Sequence, residues 1–459
     1  MNSSNRLVII ILTALAILTI LSLVPWNNLT GHTLKDFNLI GDILPQTDKT
    51  YITHEEIDSE LNNLTLDSDS IQTSTDSEAS TDSIITLPND FQAPCVDGVI
   101  LFEDYSTGKS SFSRLHSILS QSNNRAIRIA MVGDSYIEGD ILAQDIRSAL
   151  QTTYGGRGVG YMPIYSPIPG FRKSINQSGS GWTETEIRKM SHNDLRILQG
   201  MYFTGESGAQ ATFRGSKRIP HTDRWSQSTI MFIAPTAGNI SITYTDNQIE
   251  NHAIAASPDV QCITVNAETS NISFSSDIAG LKVLGAWLSD NTGIVFDTMS
   301  LRGNSGISHR NLNSEIISQM RRTIDYDVVI LEFGINALTS TQHDYTAYKL
   351  AMVQTVNTIK HCYPNAVIII MGIGDRGQKQ GTEVKSIGTA GAMVTAQRDV
   401  ARLTGSVFWD TRAAMGGNDA IVDWRNRGLV NSDYIHLNHK GGTALADIFM
   451  KSFNKSVNE

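Results

Sequence analysis

The sequence predicts an α/β domain interrupted by an inserted antiparallel β-sandwich, and three observations predict it. Ala126 to Val132 (AIRIAMV) is a short apolar run ending in Gly133, and helical spacing follows over Ile141 to Thr153. A continuous apolar run of that length is what a parallel strand buried on both faces requires. The same strand-and-helix grammar returns after residue 300. Between roughly Phe171 and Thr298 the pattern instead becomes short and alternating, with Gly, Asn and Asp punctuation, as antiparallel strands require.

Taken in order, the chain begins with Arg6 and an apolar run from Leu7 to Val24 (LVIIILTALAILTILSLV), at the short end of what spans a bilayer as a helix. Asn, Trp and Pro follow it in place of a small-residue cleavage site. Residues 1–25 therefore read as an N-terminal signal anchor, with a cleaved signal peptide as the alternative. Positive charge on the short side puts the rest of the chain outside the cytoplasm. Residues 26–94 turn polar around DSDSIQTSTDSEASTDS, with too little apolar surface to offset ordering entropy. They read as a disordered tether with a reach of roughly 45 Å.

The first part of the α/β domain is expected at 95–170, with a helix over Phe112 to Ser120 before the strand and helix already named. The insertion is expected at 171–298, with strands at Ser228 to Ile233, Asn239 to Thr245, Val260 to Val265, Asn271 to Ser275 and Leu281 to Leu288. The second part, 299–459, has strand candidates at Tyr326 to Phe333 (YDVVILEF), Asn365 to Met371 (NAVIIIM) and Val407 to Trp409. Helices are expected at Tyr345 to His361, Ala390 to Leu403 and Gly441 to Phe453.

Composition narrows the function. The 459 residues are 40% hydrophobic and 18% charged, as in a globular protein of more than one unit. A net charge of -10 without a sustained Lys/Arg run excludes a nucleic-acid partner. The three cysteines, Cys95, Cys262 and Cys362, fit neither a metal pattern nor a disulfide framework and are expected to be small buried hydrophobes. GGRGVG (155–160) lacks the Lys-Ser/Thr of a phosphate loop and reads as a turn.

Four short segments carry chemistry. Ser135, in Gly133-Asp134-Ser135-Tyr136, follows a predicted parallel strand, and open α/β sheets place their ligand crevice at that edge. There a serine either projects Oγ into the crevice or caps the next helix. A neutral serine needs a base, and His436, in Asp433-Tyr434-Ile435-His436, has the right chemistry near neutral pH. Asp433, three residues earlier, can fix its tautomer. Asn336, after the strand ending at Phe333, can donate its amide to an oxyanion, or is a turn residue. Gly303, in SLRGNSG (300–306), lets a backbone N–H approach a carbonyl oxygen closely.

In this order the four blocks, GDSY, LRGN, GIN and DYIH, resemble those of the SGNH (GDSL) hydrolase superfamily. The resemblance covers about Ala126 to Met162 and Asp297 to Phe453. It implies a flavodoxin-like three-layer α/β fold and ester hydrolysis through an acyl-serine. Ser135 would be the nucleophile, His436 the base and Asp433 its orienter. The N–H groups of Ser135 and Gly303, with the Asn336 amide, would form the oxyanion hole. The chain departs from the pattern at Ala337, where many members have Asp. The YGGRGVGY segment (154–161), the AMGG turn (414–417) and the long insertion are similar to the subgroup of bacterial peptidoglycan O-acetylesterases. In that subgroup the hydrolase domain accompanies a β-sandwich similar to carbohydrate-binding modules.

The resulting expectation is a membrane-tethered, extracytoplasmic carbohydrate O-acetylesterase acting on an acetylated glycan, with no metal or organic cofactor. The alternatives are an O-acetyltransferase with the same triad and a non-catalytic glycan-binding protein. Arg302, His309 and Asp375 are candidate substrate contacts, with an ion pair between Asp375 and Arg376 as the alternative for Asp375. Arg157 is expected in surface ion pairs. Of Trp182, Trp225 and Trp287, at least two are expected in the core.

Overall fold

The computed structural model describes residues 92–245 and 247–457, so the expected anchor and nearly all of the expected tether lie outside the described residues. Among the described residues, no helix is long and apolar enough to cross a membrane.

The runs read as buried parallel strands form the centre of a six-stranded sheet. Its order is Gly293–Ser300, Ala126–Gly133, Val328–Glu332, Val367–Met371, Val407–Trp409 and Glu103–Asp104. The first five are parallel; the short Glu103–Asp104 edge strand runs antiparallel. Every residue of Val328–Glu332 and Val367–Met371 is buried, as a sheet covered on both faces demands. Successive side chains point to opposite faces, and the core divides accordingly. Val329, Leu331, Ile368 and Ile370 pack against Thr346–Cys362 and Ala390–Thr404. Val328, Ile330, Val367 and Ile369 join the core with Ala143–Tyr154 and His439–Val457. The result is three layers, helix, sheet and helix.

The middle of the chain supplies nine antiparallel strands in one hydrogen-bonded set. All five predicted strands are there, and Gly158–Met162, Ile175–Glu186, Met201–Gly215 and Gln248–Ile254 join them. The boundaries differ from those read in the sequence. Gly158–Met162, expected in the α/β domain, pairs antiparallel with Leu281–Ser289. Gly293–Ser300, expected at the end of the insertion, runs parallel to Ala126–Gly133 along its whole length. Seven of its eight residues are buried, so this edge strand is covered on both faces.

Two of the tryptophans sit in the core: Trp225 donates to Ser228 Oγ at 2.7 Å and Trp287 to Asp297 Oδ2 at 2.9 Å. Trp182 is half-buried, its indole N–H on the Gln210 carbonyl. Arg157 makes the expected ion pairs, with Asp290 and Glu268. The cysteines are free thiols; Cys362 is buried as expected, whereas Cys95 and Cys262 are exposed, because their strands present them to solvent.

Candidate active site

Three neighbouring strands of the parallel sheet end at one edge, and each continues into a turn carrying one of the singled-out residues. Glu332 and Ser300 both pair in register with Gly133. Residues beyond these three positions therefore converge although they are far apart in sequence.

The turn after Gly133 is built on Asp134, whose Oδ1 accepts the Tyr136 N–H at 2.9 Å. The Ser135 carbonyl accepts the Glu138 N–H at 3.3 Å, and a short 3-10 turn, Glu138–Asp140, follows. The long helix, expected from Ile141, begins at Ala143. Ser135 Oγ is not a helix cap; it lies 2.9 Å from His436 Nε2.

On one side, Leu301 N–H donates to the Gly133 carbonyl at 3.0 Å, tying the two turns together. Gly303 is buried there with φ 73°, a left-handed conformation that glycine adopts without a Cβ penalty. On the other side, Gly334 has φ 115° and opens the short turn Ile335–Ala337. Two distant side chains brace that turn. Gln397 Nε2 donates to the Phe333 carbonyl at 2.7 Å, and Arg376 Nη1 donates to the Ile335 and Leu338 carbonyls at 3.2 and 3.1 Å. The Asn336 amide donates to Asp134 Oδ2 at 2.8 Å and to the Asn304 carbonyl at 3.1 Å.

The last segment is a closed loop. Val430 and Leu437 form an antiparallel bridge, and Asn431 N–H donates to the His436 carbonyl at 2.8 Å. Tyr434 takes a left-handed φ of 57°, a conformation non-glycine residues adopt only when their surroundings hold it. Asp433 Oδ1 accepts the N–H groups of Ile435 and His436 at 2.9 and 3.1 Å, leaving Oδ2 for His436 Nδ1 at 2.7 Å. A proton on Nδ1 facing a carboxylate leaves Nε2 as the acceptor toward Ser135. Burial alone would raise the Asp433 carboxyl, but the hydrogen bonds from His436 and from backbone N–H groups overcome it and hold the carboxyl below its usual range.

Ser135, Asn336 and His436 are all partly exposed, so an ester can reach the Oγ. The arrangement can take a proton from a serine and hold the resulting imidazolium.

The other candidates are placed differently. Arg302 is exposed beside the Gly303 turn and pairs with Glu138, 2.5 Å away, at the rim. His309 is in the interior: its Nε2 donates to the Leu198 carbonyl at 3.2 Å, its ring packs on Phe333, and burial pulls its pKa down to about 4. Asp375 is also interior and takes up Arg412, the Ser386 hydroxyl and the Ile421 N–H rather than Arg376. Neither His309 nor Asp375 faces an open crevice: both side chains are buried, and Asp375 spends its oxygens on the protein's own groups. Sequence reasoning missed the roles of Asp134, Asn304, Arg376 and Gln397. Asp134 stood in the GDSY block and Asn304 in the LRGN block; Arg376 and Gln397 act through contacts no local pattern encodes.

Residues 264–444 match the model of the GDSL-like lipase/acylhydrolase family. The match takes in Gly303, Asn336, Asp433 and His436 and begins well after Ser135. Among curated proteins, no sequence matches. Among solved structures, one of a peptidoglycan O-acetylesterase is 22% identical with a TM-score of 0.64, covering 78% of this chain and 99% of its own. A family two carbohydrate esterase from Cellvibrio japonicus is 9% identical with a TM-score of 0.27, covering 61% of this chain and 99% of its own. The first of these likenesses shows a shared fold.

Proposed function

We propose that this chain, an SGNH-type serine hydrolase with a GDSL-like lipase/acylhydrolase domain, removes O-acetyl groups from a carbohydrate outside the cytoplasm, with peptidoglycan as the first substrate to test. The observation that carries this reading is the line from Ser135 Oγ through the His436 ring to Asp433, with links of 2.9 and 2.7 Å. Ser135 attacks the acetyl carbonyl while His436 Nε2 takes its proton, and Asp433 stabilises the imidazolium. The N–H groups of Ser135 and Gly303 and the Asn336 amide receive the oxyanion. The imidazolium then protonates the departing sugar oxygen, and water, activated by the same histidine, releases acetate from the acetyl-serine.

The choice of an acetylated glycan is supported by the solved peptidoglycan O-acetylesterase of the same fold. The inserted strands, which we read as a β-sandwich, would present that glycan. The apolar run Leu7 to Val24 supports a place at the membrane's outer side with the hydrolase held on the 26–94 tether.

The test is acetate release by the full chain in detergent, from an aryl acetate and from O-acetylated peptidoglycan. Ser135→Ala should lower kcat/KM by about 10³-fold or more, melt like the wild type and lose labelling by a fluorophosphonate. Undiminished turnover in that variant would overturn the mechanism. Release from the aryl acetate alone would remove peptidoglycan as the substrate.

A further inference from the structure

Behind the nucleophile turn lies a carboxyl that the triad does not use. Glu332 ends the strand Val328–Glu332, stands opposite Gly133 in the sheet, and is 1% exposed. Its Oε2 has no hydrogen-bond partner within the protein. Its carboxyl faces Asp134, which is fully buried and sits between Gly133 and the nucleophile. Among the described residues, no Lys or Arg pairs with either carboxyl. Two touching carboxyls in a buried site do not both ionise, because repulsion adds to the cost of desolvating each charge.

The hydrogen bonds decide which one keeps the proton. Asp134 is solvated by donors on both oxygens, Tyr136 N–H on Oδ1 and the Asn336 amide on Oδ2, and His436 lies on its side of the pair. Glu332 has no comparable set. We infer that Glu332 is a positioning residue that stays protonated and donates its O–H to Asp134, keeping Asp134 anionic so that it fixes the Asn336 amide beside the nucleophile. Burial pushes both carboxyls up, and the charge on Asp134 raises Glu332 further. The remaining titratable groups facing the pair are Glu138, Tyr136 and Tyr348, and burial holds both phenols in the neutral form. Losing the Glu332 proton at alkaline pH would set two anions against each other and free the amide.

This inference rests on the esterase reading for its kinetic test. Hydrolysis of an aryl acetate by the full chain should show Glu332→Ala losing about tenfold or more in kcat with KM within about twofold. Glu332→Gln, which restores a neutral donor of the same shape, should recover kcat to within about threefold and lack the wild type's alkaline decline. A Gln variant as impaired as the Ala variant, or one with the wild-type alkaline limb, would overturn the inference. Infrared spectra at neutral pH give a readout independent of turnover and of whether Glu332→Ala folds. The wild type should show a protonated-carboxyl carbonyl band that Glu332→Gln lacks, and its absence from the wild type would refute the assignment. A wild type that hydrolyses no acetate ester would sink the esterase reading and leave that band to judge Glu332.

Discussion

The Asn336 amide gives one hydrogen to Asp134, the residue directly before Ser135, at 2.8 Å. Its second hydrogen rests on the Asn304 carbonyl at the longer distance of 3.1 Å. The shorter bond aims the amide. The longer, weaker one is the bond a developing oxyanion can displace, so the donor is held ready without rearrangement.

Asn336→Ala should therefore lower kcat by about 10²–10³-fold and leave KM within a few fold, because an oxyanion donor acts on the transition state. Steady-state kinetics on an aryl acetate check this. A rise in KM with unchanged kcat would mean the amide binds ground-state substrate instead.

Asp433→Asn should reduce kcat by about 10²–10⁴-fold, since an amide in that position no longer selects the tautomer with Nε2 free. Asp433 is 35% exposed, so water replaces part of what is lost, and the melting temperature should hardly move. In the wild type the carboxyl lies below its ordinary value of 3.8, so the orienting charge persists as pH falls to that value.

Gly334→Ala should impair both stability and turnover. The residue sits at φ 115°, and a Cβ there would meet Gln397 Nε2 at 2.7 Å and Ile373 Cγ2 at 3.0 Å. Strain of about 1–3 kcal/mol is expected, together with a shift of the turn that carries Asn336. Chemical denaturation and kcat measured on the same preparation check both effects.

His309 makes stability fall in acid. Its folded pKa is lowered to about 4 from 6.5, so between those values the unfolded chain binds the extra proton. The contribution is complete above pH 6.5 and is lost as pH falls toward 4, at about 1.4 kcal/mol per pH unit and roughly 3 kcal/mol in all. His309→Gln should flatten denaturation midpoints across that window, at some cost in packing. An unchanged slope would show that His309 does not titrate as a buried neutral base.

Much of the parallel sheet was legible because strands covered on both faces leave uninterrupted apolar runs; even the three-residue Val407–Trp409 stood out. Ile175–Glu186 did not, because INQSGSGWTETE pairs only with Met201–Gly215 and needs no apolar face of its own. Gly158–Met162 was hidden by glycines, and the change of sheet at 289–293 has no local signal. Within the site, Ser135, Gly303, Asn336, Asp433 and His436 were legible as short blocks. Glu332 was concealed in the apolar run YDVVILEF, where one carboxyl looks like a strand end. His309 is six residues from Gly303, yet the short turn Ile307–Asn311 packs its ring inward against Phe333.

The strand that leads to Ser135 acquires one of its two sheet neighbours, Gly293–Ser300, only after the whole antiparallel insertion has been threaded through. A growing chain thus holds the nucleophile for a long time before it holds the means to activate it. Ser135 and His436 are 301 residues apart, a delay of about 15–60 s at ordinary elongation rates. Competence requires the loop closed by Val430 and Leu437, which follows every strand of the parallel sheet in the chain.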